Sequence, residues 1–158
     1  MTLPENLAAF LGDMRDTLGD EGVNVAPETI LRYGETTLPG PDQPPGAVLY
    51  PGSPDAVQRI VQAANRHRVA LYPISNGNNI GLGSRAPVVA GQVVVDLGRR
   101  MNRILEINEE TGVAVIEPGV TYRQLADELD RLGGKFMPDV TSGPPEGSVL
   151  GNALDKGA

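Results

Sequence analysis

Cysteine is absent from the 158 residues, and His67 is the only histidine. Disulfides, thiolate metal sites and cysteinyl cofactor links are therefore excluded, and one imidazole cannot build a multi-histidine metal centre. No clustered Asp-x-Asp loop is present to hold a hard cation with carboxylates alone, so no structural metal is expected. Positive charge is scarce as well. A net charge of −7 and a pI near 4.6 argue against nucleic acid or an anionic membrane as partners. An anionic ligand must then be met by local geometry. The start, Met1-Thr2-Leu3-Pro4-Glu5, has no basic leader, and long apolar runs are missing throughout. Neither a signal peptide nor a membrane span is expected, and the default compartment is cytoplasmic.

What is present has a clear order. Leu7, Phe10, Leu11, Met14 and Leu18 recur at helical spacing between Pro4 and Gly19, which predicts an amphipathic packing helix. Residues 20–46 are rich in proline and glycine and read as extended covering chain. From Ala47 the pattern becomes strand, helix, strand: 47–50, then 53–68, then 69–72. Ser53 is a good N-cap, Pro54 suits the first helical position, and Ala56, Val57, Ile60, Val61 and Ala64 form one apolar stripe. A β-α-β unit of this kind predicts parallel strands with a right-handed crossover. Val93-Val94-Val95-Asp96-Leu97 is a third run suited to a buried strand. Beyond Arg99, segments 103–108 and 113–117 alternate in polarity around Glu109-Glu110-Thr111-Gly112, a hairpin signature. Thr121 and Gln124 form a capping box for a helix carrying Leu125, Leu129 and Leu132, ended by Gly133-Gly134.

The most informative stretch joins the second and third strands: Ser75-Asn76-Gly77-Asn78-Asn79-Ile80-Gly81-Leu82-Gly83-Ser84. Glycines permit positive φ and close approach, so successive backbone N–H groups can converge into a nest for a pyrophosphate. The loop matches neither the Walker pattern nor the dinucleotide fingerprint that opens a helix. Phosphate cradle and ordinary surface turn both remain open on this loop alone. Its expected place, at the C-terminal end of a central parallel strand, favours the cradle, because open α/β sheets bind ligands there.

The ordered motifs resemble the FAD-binding domain of the vanillyl-alcohol oxidase and p-cresol methylhydroxylase family. They are Tyr72-Pro73-Ile74-Ser75-x-Gly77-x-Asn79-x-Gly81-x-Gly83, Val93 to Leu97, Met101-Asn102-Arg103-Ile104-Leu105-Glu106, Glu117-Pro118-Gly119-Val120-Thr121-Tyr122, and Gly147-Ser148-Val149-Leu150-Gly151-Asn152-Ala153-Leu154-Asp155. The resemblance implies an α/β (α+β overall) fold with FAD held between two lobes. Residues 1–46 would form the covering segment, 47–98 a first lobe with a parallel β-α-β sheet and pyrophosphate loop, and 99–158 the start of an incomplete second lobe. It further implies FAD contacts from Ser75, Asn76, Gly77, Asn78, Asn79, Ile80, Gly81, Gly83 and Ser84 to the pyrophosphate. Pro118, Gly119 and Val120, with Gly147, Ser148, Gly151 and Asn152, would approach the ribityl chain and isoalloxazine. In relatives a cap domain further along the chain supplies most substrate contacts, and the flavin accepts a hydride from a benzylic or alcohol carbon.

Several positions depart from the family pattern. Phenol-oxidising members carry a tyrosine between the last two loop glycines, and here Leu82 cannot donate a hydrogen bond to a phenolate. Arginine often follows the first loop glycine, and here it is Asn78. Some members place an acidic residue near flavin N5 just upstream of Gly147. Ungapped counting brings Gly143 to that place, whereas Asp139 fits with a gap and is the candidate carboxylate. No loop histidine is available to tether FAD, so binding within this chain is expected to be non-covalent. His67 reads as a helix C-terminal residue favoured by the macrodipole.

Relatives continue beyond the motif at Gly147 with more strands and the cap. The expectation is the N-terminal portion of an FAD-dependent oxidoreductase, from a shortened gene, a split reading frame or an excised piece, inactive alone. The alternative is a non-catalytic nucleotide-binding or interaction module, or one half of a split flavoprotein. A lone hairpin needs further strands to bury its apolar face, so self-association or pairing with a C-terminal half is expected.

Overall fold

The structure, a computed structural model, describes residues 3–36, 39–78, 85–139 and 143–154. Helix α1 (Glu5–Leu18) buries Leu7, Phe10, Leu11 and Met14 of the stripe expected from the sequence, and Leu18 packs partly buried against them. Each such side chain contributes on the order of 1.5–3 kcal/mol by leaving water. A short 3-10 turn leads into β1 (Val23–Asn24), and α2 follows at Pro27–Gly34. Residues 20–46 are therefore not simply extended chain. Asn24 Oδ1 accepts from Ala26 N at 2.9 Å, an Asx turn, and Pro27 then opens the helix. With only Tyr33 and Gly34 buried, α2 has too narrow an apolar face to show as a period.

Strand β2 is Ala47–Leu49, and α3 is Pro54–His67, capped by Ser53 Oγ accepting from Ala56 N at 3.2 Å. Its core face differs by one position from the expected stripe: Ala63 is buried and Val61 is 45% exposed. Arg68 ends the helix in the left-handed region at φ 54°, and Val69 N donates back to Ala64 O at 2.9 Å. That Schellman-type turn uses Val69, so β3 is Leu71–Ile74 rather than 69–72.

Strand β4 (Val93–Asp96) lies between β2 and β3 and is parallel to both, giving the order β1-β2-β4-β3 with β1 antiparallel to β2. The two strands of the β-α-β unit are thus parallel but not adjacent. Among the described residues β3 is an edge strand, so the glycine loop leaves the end of an edge strand and not a central one. The fully buried β4 takes the centre because its three valines serve two faces. Val93 and Val95 join Ala47 and Leu49 against α1 and α3, while Val94 joins Val48, Tyr50 and Tyr33 on the opposite face.

The rest is smaller. Strands β5 (Ile104–Asn108) and β6 (Val113–Ile116) form the expected hairpin with a bulge between Ile104 and Glu106. Helix α4 (Tyr122–Arg131) carries the complete capping box of Thr121 and Gln124, and α5 is Val149–Leu154. Ile104, Ile107, Ile116 and Val149 pack on Val120, Leu125 and Leu129. The outer face leaves Leu105, Val113 and Val115 about half exposed.

Candidate functional site

The end of the parallel sheet sets the site. Ile74 is in register with Asp96, and the pairing runs past both strands: Leu97 N donates to Ile74 O at 3.0 Å and Gly98 N to Ser75 O at 2.6 Å. A side chain at Gly98 would collide with the Ser75 carbonyl. Gly98 in turn touches the Pro118–Val120 turn, since a Cβ built on Gly119 would stand 2.5 Å from Gly98 Cα. Backbone meets backbone at both places.

The Pro118–Val120 turn is held from three sides. Glu117, 5% exposed, accepts from Arg103 N at 2.8 Å and from Arg103 Nη2 at 2.7 Å, bonds that keep its carboxyl below the usual range. Gly119 N donates to Met101 O at 2.8 Å. Ser148 Oγ donates to Pro118 O at 2.7 Å and accepts from Gly151 N at 2.9 Å, which starts α5 beside the turn. Gly151 then approaches the residue that follows β3, where a Cβ on it would lie 3.0 Å from Ser75 Oγ.

Asn76 and Asn78 reach a segment distant in sequence. Asn76 Nδ2 and Asn78 Nδ2 both donate to Glu146 O, at 3.0 and 3.2 Å, and the Glu146 carboxylate pairs with Arg123 at 2.8 Å. Three stretches distant in sequence, 75–78, 118–120 and 147–151, therefore meet. Val120 and Ser148 serve as buried anchors rather than open surface: Val120 is fully buried, and Val149 N donates to its carbonyl at 3.0 Å. Asn152 Nδ2 donates to the Tyr122 hydroxyl at 3.0 Å. Asp139 is exposed, and Asn79, Ile80, Gly81, Leu82, Gly83 and Ser84 lie outside the described residues.

Sequence reading missed Gly98, Glu146 and the far side of the sheet end. There Tyr33 donates to Asp96 Oδ2 at 2.6 Å, and Asp96 Oδ1 accepts from Arg99 N at 3.1 Å. Burial first, then the Asp96 carboxylate, push the Tyr33 phenol well above its usual range. The Arg99 guanidinium stacks 4.3 Å from the Tyr50 ring centroid. The signal for Gly98 was a glycine two residues past a buried strand, which alone cannot be told from a plain turn. His67 also has more than a helix dipole beside it. Its Nε2 lies 2.9 Å from Asp13 Oδ2, which Arg66 also reaches at 2.9 Å. These two partners, His67 foremost, hold the Asp13 carboxyl below the usual carboxylate range.

A cavity of about 260 Å³ lies between α4 and Gly143–Pro145, lined by Tyr122, Arg123, Ala126 and Asp127. It is smaller than the roughly 300–1,000 Å³ usual for small-molecule sites. None of the glycine segments lines it, so the glycine junction is the stronger site. Ser75, Asn76, Gly77 and Asn78 present amide and hydroxyl groups with no carboxylate, a donor set that fits an anionic group approaching closely. Among the described residues no helix is long and apolar enough to cross a membrane.

Residues 45–158 match the family described as FAD binding domain. The 1'-carboxy-chondrochloren decarboxylase of Chondromyces crocatus is 42% identical over 98% of this chain and 28% of its own length. The structure of p-cresol methylhydroxylase with substrate bound superposes with a TM-score of 0.92 at 30% identity, covering 98% of this chain and 30% of that one. The 4-ethylphenol oxidase of Gulosibacter chungangensis, in its isoeugenol complex, gives 0.88 at 38% identity, covering 97% and 30%. The chain thus spans less than a third of the length of these relatives. FAD is the cofactor of this domain, and the chain belongs to the FAD-binding domain family of the p-cresol methylhydroxylase and vanillyl-alcohol oxidase type.

Proposed function

We propose that this chain is the FAD-binding portion of a flavin-dependent oxidoreductase acting on an alcohol or alkyl-aromatic substrate, with FAD bound non-covalently. The observation that carries the reading is the meeting of Ser75, Gly98, Gly119 and Gly151, where Gly98 lies against the Ser75 backbone, Gly119 against the Gly98 backbone, and Gly151 against the Ser75 side chain. Residues 47–98 and 99–158 act as the two lobes around that junction, with 1–46 as cover. When bound, FAD supplies hydride acceptance from the substrate carbon. The chain's own part is to hold and orient. Ser75 to Asn78, continued by Asn79, Ile80, Gly81, Gly83 and Ser84, offer N–H groups to the diphosphate. Pro118, Gly119, Gly147, Gly151 and Asn152 border the ribityl and ring end, with Val120 and Ser148 fixing their position. Asp139 is the candidate carboxylate on the ring side.

Two structural neighbours carry the names of p-cresol and 4-ethylphenol enzymes, and the relative from Chondromyces is named for a decarboxylation. Leu82 has no donor for a phenolate, which turns the substrate reading away from para-hydroxylated aromatics. Because the chain spans 28–30% of its relatives, FAD contacts made elsewhere in them are not supplied here. Losing contacts worth ~4 kcal/mol weakens affinity about a thousandfold. Weak FAD binding and no turnover are expected of these 158 residues by themselves. The test is a fluorescence-quench titration with FAD, read with the visible spectrum. A tight, stoichiometric yellow protein refutes the weak-binding expectation, and no binding even at high FAD refutes the cradle.

A further inference from the structure

The glycine loop contains no lysine or arginine, but Arg85 follows its last residue directly. The fold brings that side chain back across the loop's first glycine. Gly77 turns the chain at φ +68°, and a Cβ built on it would lie 3.1 Å from Arg85 Cβ and 3.7 Å from Arg85 Nε. Arg85 is partly buried there. Most of the chain's other placed guanidinium groups near this junction have an anion or a ring: Arg100, Arg103 and Arg123 reach carboxylates, and Arg99 stacks on Tyr50. Arg85 makes no ion pair among the described residues, and the segment 79–84, Asn-Ile-Gly-Leu-Gly-Ser, contains no acid to offer it one.

A partly buried guanidinium with no counter-ion among the described residues is costly to keep, and more telling in a chain whose net charge is −7. Asn76 and Asn78, the neighbouring polar side chains, are committed to the Glu146 carbonyl. Among the described residues Arg85 is therefore the cation available at Gly77. We propose that Arg85 binds the diphosphate of the dinucleotide, its planar fork of N–H donors adding side-chain charge to a loop that otherwise offers backbone. This assignment rests on the FAD reading above.

The test compares the wild-type chain with Arg85→Ala and Arg85→Lys, titrated with FAD, with ADP, which keeps the diphosphate without the flavin, and with riboflavin, which keeps the flavin without phosphate. Arg85→Ala is expected to weaken FAD and ADP about tenfold, as for loss of one charge-assisted hydrogen bond, and to flatten the salt dependence of both. Riboflavin binding stays unchanged, and Arg85→Lys recovers part of the loss. Equal FAD and ADP affinities in wild type and Arg85→Ala overturn the assignment while leaving the FAD reading in place. A parallel loss of riboflavin also overturns it, because the defect is then in the fold. Wild-type protein that binds neither FAD nor ADP overturns the FAD reading and the assignment together.

Discussion

Replacing Gly119 with alanine tests whether the Pro118–Val120 turn meets Gly98 and Met101 through backbone alone. The added methyl would stand 2.5 Å from Gly98 Cα, 2.5 Å from Gly98 O and 2.8 Å from Met101 O. Ordinary carbon contacts lie at about 3.5–4.0 Å, so the overlap approaches ~1 Å on two atoms. All three neighbours are main chain, and no side chain can swing aside. Gly119 cannot back away freely either, because its N–H is bonded to Met101 O at 2.8 Å. Overpacking costs about 1–3 kcal/mol, and backbone against backbone belongs at the upper end. With a urea slope of roughly 1–3 kcal/mol per molar, the unfolding midpoint should fall by about 1 M. The assay is urea unfolding followed by far-ultraviolet circular dichroism. Gly12→Ala is the matched control: Gly12 lies in α1, and a Cβ there meets nothing within 4 Å. That substitution is expected to stabilise by about 1 kcal/mol, since glycine is a poor helix former. A Gly119→Ala midpoint equal to wild type, beside a raised Gly12→Ala midpoint, would refute the close backbone contact.

Tyr33→Phe removes the donor to Asp96 and leaves a buried carboxylate oxygen short of a partner, at a cost of about 1–3 kcal/mol in urea unfolding; an unchanged midpoint contradicts the bond. The raised Tyr33 pKa favours the neutral phenol in the fold, so its contribution is fully present below the ordinary tyrosine value of 10 and is lost as pH rises through the higher folded value. Wild type should therefore lose more stability above pH 10 than Tyr33→Phe does. At the acid end, Glu117 and Asp13 have carboxyls held below 4.5 and 3.8 respectively. Their contribution is present above those values and is lost as pH falls through the lower folded ones, so Glu117→Gln should flatten the acid limb of the stability profile. An acid limb of identical steepness counts against the Arg103 pairing. Asn76→Ala and Asn78→Ala share one acceptor, so their effects on stability should not add, and strict additivity in a double-mutant cycle speaks against a common carbonyl.

Helices with chemically marked ends were legible in the sequence. Ser53-Pro54 and the Thr121 to Gln124 box each state a start in side-chain hydrogen bonds that the structure contains. The glycine segments were legible as motifs, and their meeting at Ser75 was not, because nothing local tells that Gly98 and Gly119 share a surface. The sheet order failed for a similar reason. A β-α-β pattern gives strand direction, but whether a later strand inserts depends on burial on both faces, which β4 satisfies with three valines. Helix α2 escaped notice because one buried tyrosine, not a stripe, holds it down. His67 was placed correctly at a helix end, while its bond to Asp13 spans 54 residues and leaves no local trace.

The order β1-β2-β4-β3 has a consequence for the time course of folding. Of the described strands in this sheet, the last to be synthesised occupies the slot between two made earlier, so neither β2 nor β3 has its parallel partner until residue 96 is available. Among the described strands of this sheet, only the two-residue antiparallel pairing of β1 with β2 can form before that. Tyr33 waits on the same event, since its acceptor is Asp96 itself, 63 residues onward. Non-local pairings of this kind delay the reward for closing the chain, so they slow folding. A nascent chain stopped before β4 should thus remain open and sensitive to protease. One extended past it should gain the sheet, the docked α2 and the strand ends beside the glycine junction in a single cooperative step.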